Sequence, residues 1–416
     1  MKTDVLVIGG GPAGMASAFS AAQNGASVVL IEREYRLGGI LNQCIHNGFG
    51  LHYFNEELSG PEYAYRWEQK ITNNKKIKIM CSTYVTKITR GVNFFVEATS
   101  PDGVVNIEAK SVVLAMGCRE RPAGSINLTG TRPAGIFTAG CAQAIVNLQG
   151  KMIGKKVVIL GSGDIGLIMA RRLVCEGAQV VGVYEIMDKC GGLARNYTQC
   201  LQDFNIPLHL STTITRVKGT KRLTGVYAAP LINGKVDYTK EKLIPCDTLL
   251  LSVGLTPEIE LVNNFNLEQY PFTKSYAVDE FLQTSEPGLF LAGNIMQVND
   301  LVDNVSGDGE IAGKSAALYA KKKLDATQKI EITHDSSIRY TIPKYIYKNS
   351  EKTARICFRT DKEYRRIFVN AVSNKKQLAK NFVITITNGQ IYTLNLDKTN
   401  LGKNLYLSIE QQKTQE

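Results

Sequence analysis

Six glycines and two glutamates in this chain stand at spacings that suit one chemistry, the capture of a dinucleotide. In DVLVIGGGPAGMASAFSAAQNGASVVLIER an apolar run, Val5 to Ile8, enters Gly9-x-Gly11-x-x-Gly14 and then an alanine-rich stretch. A second apolar run, Ser27 to Ile31, ends at Glu32. The first glycine permits a tight turn, the second lets backbone approach a pyrophosphate, and the third lets a helix pack closely on a strand. The amides that open the helix then face the phosphate charge. Pro12 and Ala13 complete the turn. Glu32, 18 residues after Gly14 and followed by Arg33, is placed to accept hydrogen bonds from a ribose diol.

The device recurs in KKVVILGSGDIGLIMARRLVCEGAQVVGVYE. Val157 to Leu160 is the strand, Gly161-x-Gly163-x-x-Gly166 the turn with Asp164 and Ile165 inside it, and Glu185 ends the next strand 19 residues beyond Gly166. An acidic side chain there repels a 2′-phosphate and no arginine replaces it, so this site is expected to prefer NAD(H) to NADP(H). Two such sites in tandem suggest two nucleotides exchanging hydride, with FAD and nicotinamide the obvious pair.

A second kind of chemistry is possible at LGGILNQCIHNGFG. Cys44 could act as a thiol nucleophile, and His46, with Gln43 and Asn47 beside it, as an acid near neutral pH or a hydrogen-bond donor. A small buried hydrophobe at 44 and a loop anchor at 46 are the structural alternatives. Cys118 and Cys141 stand beside expected turns and read as structural. The nine cysteines contain no C-x-x-C or C-x-x-x-x-C pair, which argues against a disulfide framework, zinc or an iron–sulfur cluster. No metal site is expected.

The elements that must carry these residues fit an ordinary globular chain. At 416 residues, 44% hydrophobic and 21% charged, there is room for two or three domains. No apolar run approaches a membrane span, and the N-terminal residues lead straight into a strand without a signal peptide, so a cytoplasmic location is expected. The net charge of +11 is uneven: residues 330–416 hold 15 Lys/Arg against 8 Asp/Glu. These charges are dispersed and no nucleic-acid motif accompanies them, so a solvated surface is the better reading, with peripheral membrane association left open.

Together these motifs resemble the two-dinucleotide-binding-domain flavoproteins, the superfamily of thioredoxin, glutathione and dihydrolipoamide reductases. The resemblance covers roughly residues 1–325. It implies an α/β fold with two Rossmann-like FAD/NAD(P)-binding domains, one inserted in the other. The implied boundaries are residues 1–122 with 256–325 for FAD and 123–255 for NAD(H). Leu37-Gly38-Gly39 is similar to the loop beside the FAD pyrophosphate. SVVLAMGCRERP is similar to the turn that closes the FAD half, at Ala115 and Gly117, with Met116 in a threonine's place. CDTLLLSVGLTPEIEL is similar to the matching turn of the NAD half, at Gly254. TSEPGLFLAGNIMQVNDLVDNVSGDGEIAGKSAA is similar to the final FAD segment, which adds Gly293, Asn294 and Ala312 to the FAD residues. Asn294 stands where most members carry an aspartate for the ribityl chain, and an amide can still donate and accept there.

Within the superfamily GGILNQCIHNGFG, AMGCRERP, GTRPAGIFTAG and VVILGSGDIGLIMARR resemble most closely the FAD/NAD flavoproteins linked to glycerol-3-phosphate dehydrogenase. More distantly they resemble flavin subunits of opine oxidase and hydrogen cyanide synthase. That resemblance implies a partner, a second flavoprotein dehydrogenase that oxidises the substrate, and leaves a homo-oligomer possible. It also exposes a departure. The two cysteine positions of the glutathione reductase pattern fall on Leu41 and His46, and the thioredoxin reductase position, FTAGCAQ, has only Cys141. No dithiol of either type exists, so three functions stand: hydride transfer between nicotinamide and flavin without a protein nucleophile, a single-cysteine reductase of thiols or peroxide using Cys44, and a nucleotide-regulated interaction protein.

After Leu324 the pattern changes to short alternating runs, IRYTIPKYIY, TARICFRT, RRIFVNAV, KNFVITITNGQIYTLNL and KNLYLSIE. Residues 330–416 are expected to form a small, mainly antiparallel β domain that docks a partner or a second copy of the chain, with Asn388-Gly389 turning a hairpin.

Overall fold

The computed structural model describes residues 1–387 and 389–412. The chain forms two compact units, Met1–Cys118 with Pro257–Glu416, and Arg119–Thr256.

In the first unit the opening elements are β1 (Lys2–Ile8), α1 (Pro12–Gln23) and β2 (Val28–Ile31). β1 has parallel neighbours on both sides, β2 and the strand Gly103–Leu114. It is covered on both faces, which is why VLVI reads as an unbroken apolar run rather than an alternation. The sheet order is Ile77–Met80, β2, β1, Gly103–Leu114, Phe94–Ser100 and Tyr84–Arg90, and Leu289–Leu291 adds in parallel beside Val112–Leu114. Ile8 pairs with both Ile31 and Leu114, so three chain turns leave the sheet at one level.

The helix Val302–Ala320 lies against α1. Small residues make this possible. A Cβ at Gly309 would stand 2.3 Å from the Ala13 carbonyl oxygen and one at Gly313 2.1 Å from that of Ser17. Ser20 Oγ donates to the Glu310 carbonyl at 2.8 Å. The helix Gly60–Thr72, opened by a capping box between Ser59 and Glu62, also packs on α1. Its Lys70 ammonium lies 4.6 Å from the centre of the Trp67 ring and 5.0 Å from those of Tyr53 and Phe54.

The second unit repeats the plan. Ile136–Thr138, Thr248–Leu251, Lys156–Leu160, Gln179–Tyr184 and Leu208–His209 form an all-parallel sheet in that order, and the helix Asp164–Cys175 follows the glycine turn. An antiparallel sheet built around Thr212–Gly219 and Leu223–Ile232 accompanies it.

The C-terminal strands enclose a core of their own, including Ile356, Phe358, Ile367, Val369, Leu394 and Leu407. Five strands are ordered Tyr345–Tyr347, Lys329–His334, Leu405–Gln411, Tyr364–Ser373 and Lys376–Ile386. Three more are ordered Ile338–Ile342, Thr353–Thr360 and Tyr392–Asp397. All pairs are antiparallel except Lys329–His334 with Leu405–Gln411.

The hairpin expected at Asn388-Gly389 needs correction, although Asn388 itself lies outside the described residues. Lys376–Ile386 pairs with Tyr364–Ser373, whereas Tyr392–Asp397 pairs with Thr353–Thr360. The connection therefore passes from one sheet to the other. The tight hairpin is at Asn374 and Lys375, with φ of 47° and 65°. Both residues in the left-handed region give the primed turn whose twist matches paired strands.

Candidate functional site

Each glycine turn is closed by a carboxylate at the end of the following strand. In the first unit Gly10 N–H donates to Glu32 Oε2 at 2.6 Å, and Glu34 N–H donates to Glu32 Oε1 at 2.8 Å. In the second unit Ser162 N–H and its hydroxyl donate to Glu185 Oε2 at 2.8 and 2.6 Å, and Met187 N–H donates to Oε1 at 3.0 Å. Both glutamates are buried. The same two-point bridge, from the middle of the turn to the residue two past the acid, is thus built twice.

The glycines divide by role. At Gly14 a Cβ would stand 1.7 Å from the Gly9 carbonyl oxygen, so this glycine serves the packing of α1 on its own turn. Gly11 differs. Its φ of −74° and ψ of −175° suit any residue, and no described protein atom lies within 4 Å of where its Cβ would stand. The bare backbone at Gly11 therefore faces space outside the protein, at a helix start with no side-chain cap. A dinucleotide pyrophosphate fits that observation.

Further elements converge there. Gly38 N–H donates to the Gly10 carbonyl at 2.9 Å, and a Cβ at Gly39 would lie 3.2 Å from Gly11 Cα, so the Leu37-Gly38-Gly39 loop flanks the turn. Ala115 N–H donates to Ile8, and the Ala115 carbonyl would lie 2.5 Å from a Cβ at Gly9. Gly117 has φ of 73° and accepts from Glu258 N–H at 3.1 Å. A Cβ at Gly293 would stand 2.9 Å from Ala13 Cβ, which brings the segment Gly293–Ile295 onto the first turn of α1. Asn294 Oδ1 accepts from Asn299 N–H at 2.9 Å, so the amide's NH₂ is turned away from that contact. Arg33 is exposed beside Glu34, and Ala312 is wholly buried on the helix Val302–Ala320.

In the second unit Gly161 has φ of 94°, and its Cβ would lie 2.2 Å from the Ser252 carbonyl oxygen. One at Gly166 would meet Ser252 Cβ at 2.7 Å. Gly163 caps the helix without a side-chain bond. Asp164 Oδ1 is engaged by Leu193 N–H at 2.8 Å and Asn196 Nδ2 at 2.7 Å, which ties the loop after Glu185 back onto the helix. Gly191 N–H donates to Ser162 Oγ at 2.8 Å in the same loop. Ile165 packs partly buried against the unit's core, and the Gly254 carbonyl accepts from Arg121 N–H.

The Cys44 thiol donates to the Ile40 carbonyl at 3.3 Å, and burial pushes it up to about 12. A Cβ at Gly60 would stand 2.8 Å from Cys44 Cβ, so the helix Gly60–Thr72 begins directly against this cysteine. His46 Nδ1 lies 3.0 Å from the Asn47 carbonyl, and its ring centre is 5.0 Å from that of Phe49. Cys44 is half-buried, and a thiol held neutral is a poor nucleophile.

Residues that the sequence did not single out lie between Gln297 and Asp308. Gln297 is buried with neither amide atom bonded to a described residue, and Asp303 Oδ1 is in the same condition. Asp300 and Asp308 are paired with Arg359 and Arg355 from the C-terminal strands. The one sequence signal was the spacing of the two arginines, which places them on one face of TARICFRT.

Two glycine turns, each opening a helix and each bridged by a strand-end carboxylate, define an oxidoreductase built around two dinucleotides. The chain belongs to the pyridine nucleotide-disulphide oxidoreductase family, whose model matches residues 3–309. It is 26% identical over 320 residues to the HcnB component of hydrogen cyanide synthase from Pseudomonas protegens, covering 71% of this chain and 66% of that protein. It is 27% identical over 357 residues to one of the opine oxidase subunits of Agrobacterium tumefaciens, covering 78% and 67%. The chain thus spans about two thirds of the length of these two relatives. Among solved structures, thioredoxin reductase of T. acidophilum matches with a TM-score of 0.63 at 25% identity, over 77% of this chain and 99% of that one. The protein is accordingly an FAD- and NAD(P)H-dependent oxidoreductase. No helix among the described residues is long and apolar enough to cross a membrane.

Proposed function

We propose that this chain is the NAD(H)-linked electron-transfer component of a glycerol-3-phosphate dehydrogenase-type system. It works in the cytoplasm beside a flavoprotein dehydrogenase that oxidises the substrate. The observation that carries the nucleotide chemistry is the bare backbone of Gly11 facing open space at a helix start. In this reading Gly9, Gly11, Gly14, Glu32, Gly38, Gly39, Gly293 and Asn294 hold FAD, and Gly161, Gly163, Gly166 and Glu185 hold the nicotinamide nucleotide. When bound, the two groups supply hydride exchange between nicotinamide C4 and flavin N5.

The protein's own contribution is positional. The helix-start amides face phosphate, and the two carboxylates fix the turns and meet the ribose hydroxyls. In this reading Cys44 takes no part: its thiol donates to the Ile40 carbonyl and burial pushes its pKa up. The HcnB and opine oxidase relatives are each named as one component of a larger enzyme, which supports a chain acting with a partner.

Anaerobic stopped-flow mixing with NADH tests the first half. Bound flavin is expected to bleach within the turnover time of an artificial acceptor assay, and an unbleached flavin would refute it. Reconstitution with a glycerol-3-phosphate-oxidising flavoprotein tests the second. Electrons should then pass between glycerol 3-phosphate and NAD(H) only when both proteins are present.

A further inference from the structure

The family match ends at residue 309, yet the C-terminal strands are anchored to the segment just before that limit. The strand Thr353–Thr360 presents Arg355 and Arg359 on one face. Arg359 Nη2 donates to Asp300 Oδ1 at 2.8 Å and to the Val298 carbonyl at 2.9 Å, and Nε donates to Tyr340 OH at 3.1 Å. Ile391 N–H, from the approach to the neighbouring strand, donates to the other Asp300 oxygen at 2.8 Å. Residues 298–300 are therefore gripped from two sides.

Arg355 acts further along the same segment. Its Nη1 donates to Asp308 Oδ1 at 2.8 Å, where the Asp308 side chain is 3% exposed. Asn299 Nδ2 donates to Asp308 Oδ2 at 3.3 Å, and Asn299 N–H donates to Asn294 Oδ1 at 2.9 Å. A continuous chain of polar contacts thus runs from the C-terminal strand to Asn294. Burial raises the Asp308 carboxyl and the Arg355 guanidinium opposes that, so the ionised form of this buried acid leans on Arg355.

We propose that the C-terminal β domain is a clamp for the flavin segment, with Arg355 and Arg359 as positioning residues that set the affinity for FAD. The proposal rests on the reading that Gly293 and Asn294 hold FAD. It assigns residues 330–416 a cofactor-retaining role in addition to the docking role expected from sequence.

The test is titration of the deflavinated full-length protein with FAD, followed by flavin fluorescence, together with the melting temperature of the same apoprotein. Arg355→Ala and Arg359→Ala are each expected to raise the FAD dissociation constant about tenfold or more, about 1.4 kcal/mol, with Arg359→Lys between them and the wild type. The double variant Arg355→Met/Asp308→Leu removes both buried charges. It is expected to recover the apoprotein melting temperature while its FAD affinity stays weak. If the double variant recovers both quantities, the arginine merely neutralises Asp308 and the clamp is wrong. FAD affinities within about twofold of wild type in both single variants would also overturn it. Gly11→Val run in parallel separates the two levels: loss of FAD there with no effect of the arginines refutes the clamp alone, whereas retention of FAD there refutes the flavin site on which the clamp depends.

Discussion

Glu185 accepts from both the backbone N–H and the hydroxyl of Ser162, at 2.8 and 2.6 Å, and so pins the second glycine turn from the strand beside it. Glu32 does the same to Gly10 through the backbone alone. The acid at these strand ends is a structural brace as well as a candidate ribose ligand. Its two roles can be separated by charge.

Glu185→Gln keeps an oxygen for Ser162 but discards the negative charge. The Ser162 contacts should survive while the Met187 N–H loses its acceptor, a cost of about 1 kcal/mol, and the preference for NADH over NADPH in kcat/KM should fall by about tenfold, about 1.4 kcal/mol. Glu185→Ala leaves two buried donors without an acceptor and should also cost about 1–3 kcal/mol of stability. Unchanged coenzyme preference in Glu185→Gln would show that the carboxylate only braces.

Gly11 and Gly14 should respond in opposite ways. Gly11→Val places its side chain in open space at an ordinary backbone angle, so the apoprotein should fold with its normal far-UV spectrum and purify without the yellow chromophore. Gly14→Ala drives a methyl to 1.7 Å from the Gly9 carbonyl oxygen and should not yield folded protein. A soluble, flavin-loaded Gly11→Val would remove the main support for the site.

With its thiol pushed up to about 12, Cys44 should resist alkylation at neutral pH in the native state and react only on unfolding, as mass mapping would show. Cys44→Ser should keep NADH-driven reduction of an artificial acceptor within about twofold, a change of about 0.4 kcal/mol at most. Rapid native labelling, or loss of that activity, would return the thiol to the mechanism.

Asp279 supplies a pH dependence of stability. Burial pushes its carboxyl up to about 6, although Oδ1 accepts from Phe281 and Gln283 N–H and Oδ2 from Tyr347 OH. Between the ordinary value of 3.8 and about 6 the folded state keeps a proton that the unfolded state has released. Stability from this group is therefore present at low pH, falls as pH rises through that window and is level above it. The full effect is about 2–3 kcal/mol. Urea unfolding should show Asp279→Asn gaining about that much relative to wild type between about pH 4 and 7.5; parallel profiles would contradict it.

The two nucleotide devices were legible because every part is local: a strand, a turn and an acid within about thirty residues. The long helix and its small residues were legible as a family segment, and the fold buries the Ala312 side chain wholly. The grip of Arg355 and Arg359 was not legible, since it joins residues some fifty positions apart across two sheets and a helix. The hairpin was misplaced for a different reason. Asn-Gly is the stronger turn signal, but Asn374-Lys375 takes the left-handed turn because Tyr364–Ser373 and Lys376–Ile386 pair over their whole length, and that pairing outweighs the cost of a lysine at φ of 65°.

The glycine contact between α1 and Val302–Ala320 also sets how much chain each unit needs. Residues 119–256 form a contiguous stretch that holds its whole parallel sheet. The first half does not, because α1 and the strand Gly103–Leu114 need Leu289–Leu291 and the helix after it. A chain ending at residue 256 therefore contains every strand of the inserted unit's parallel sheet, but leaves the first unit's glycine turn without the helix that packs on it.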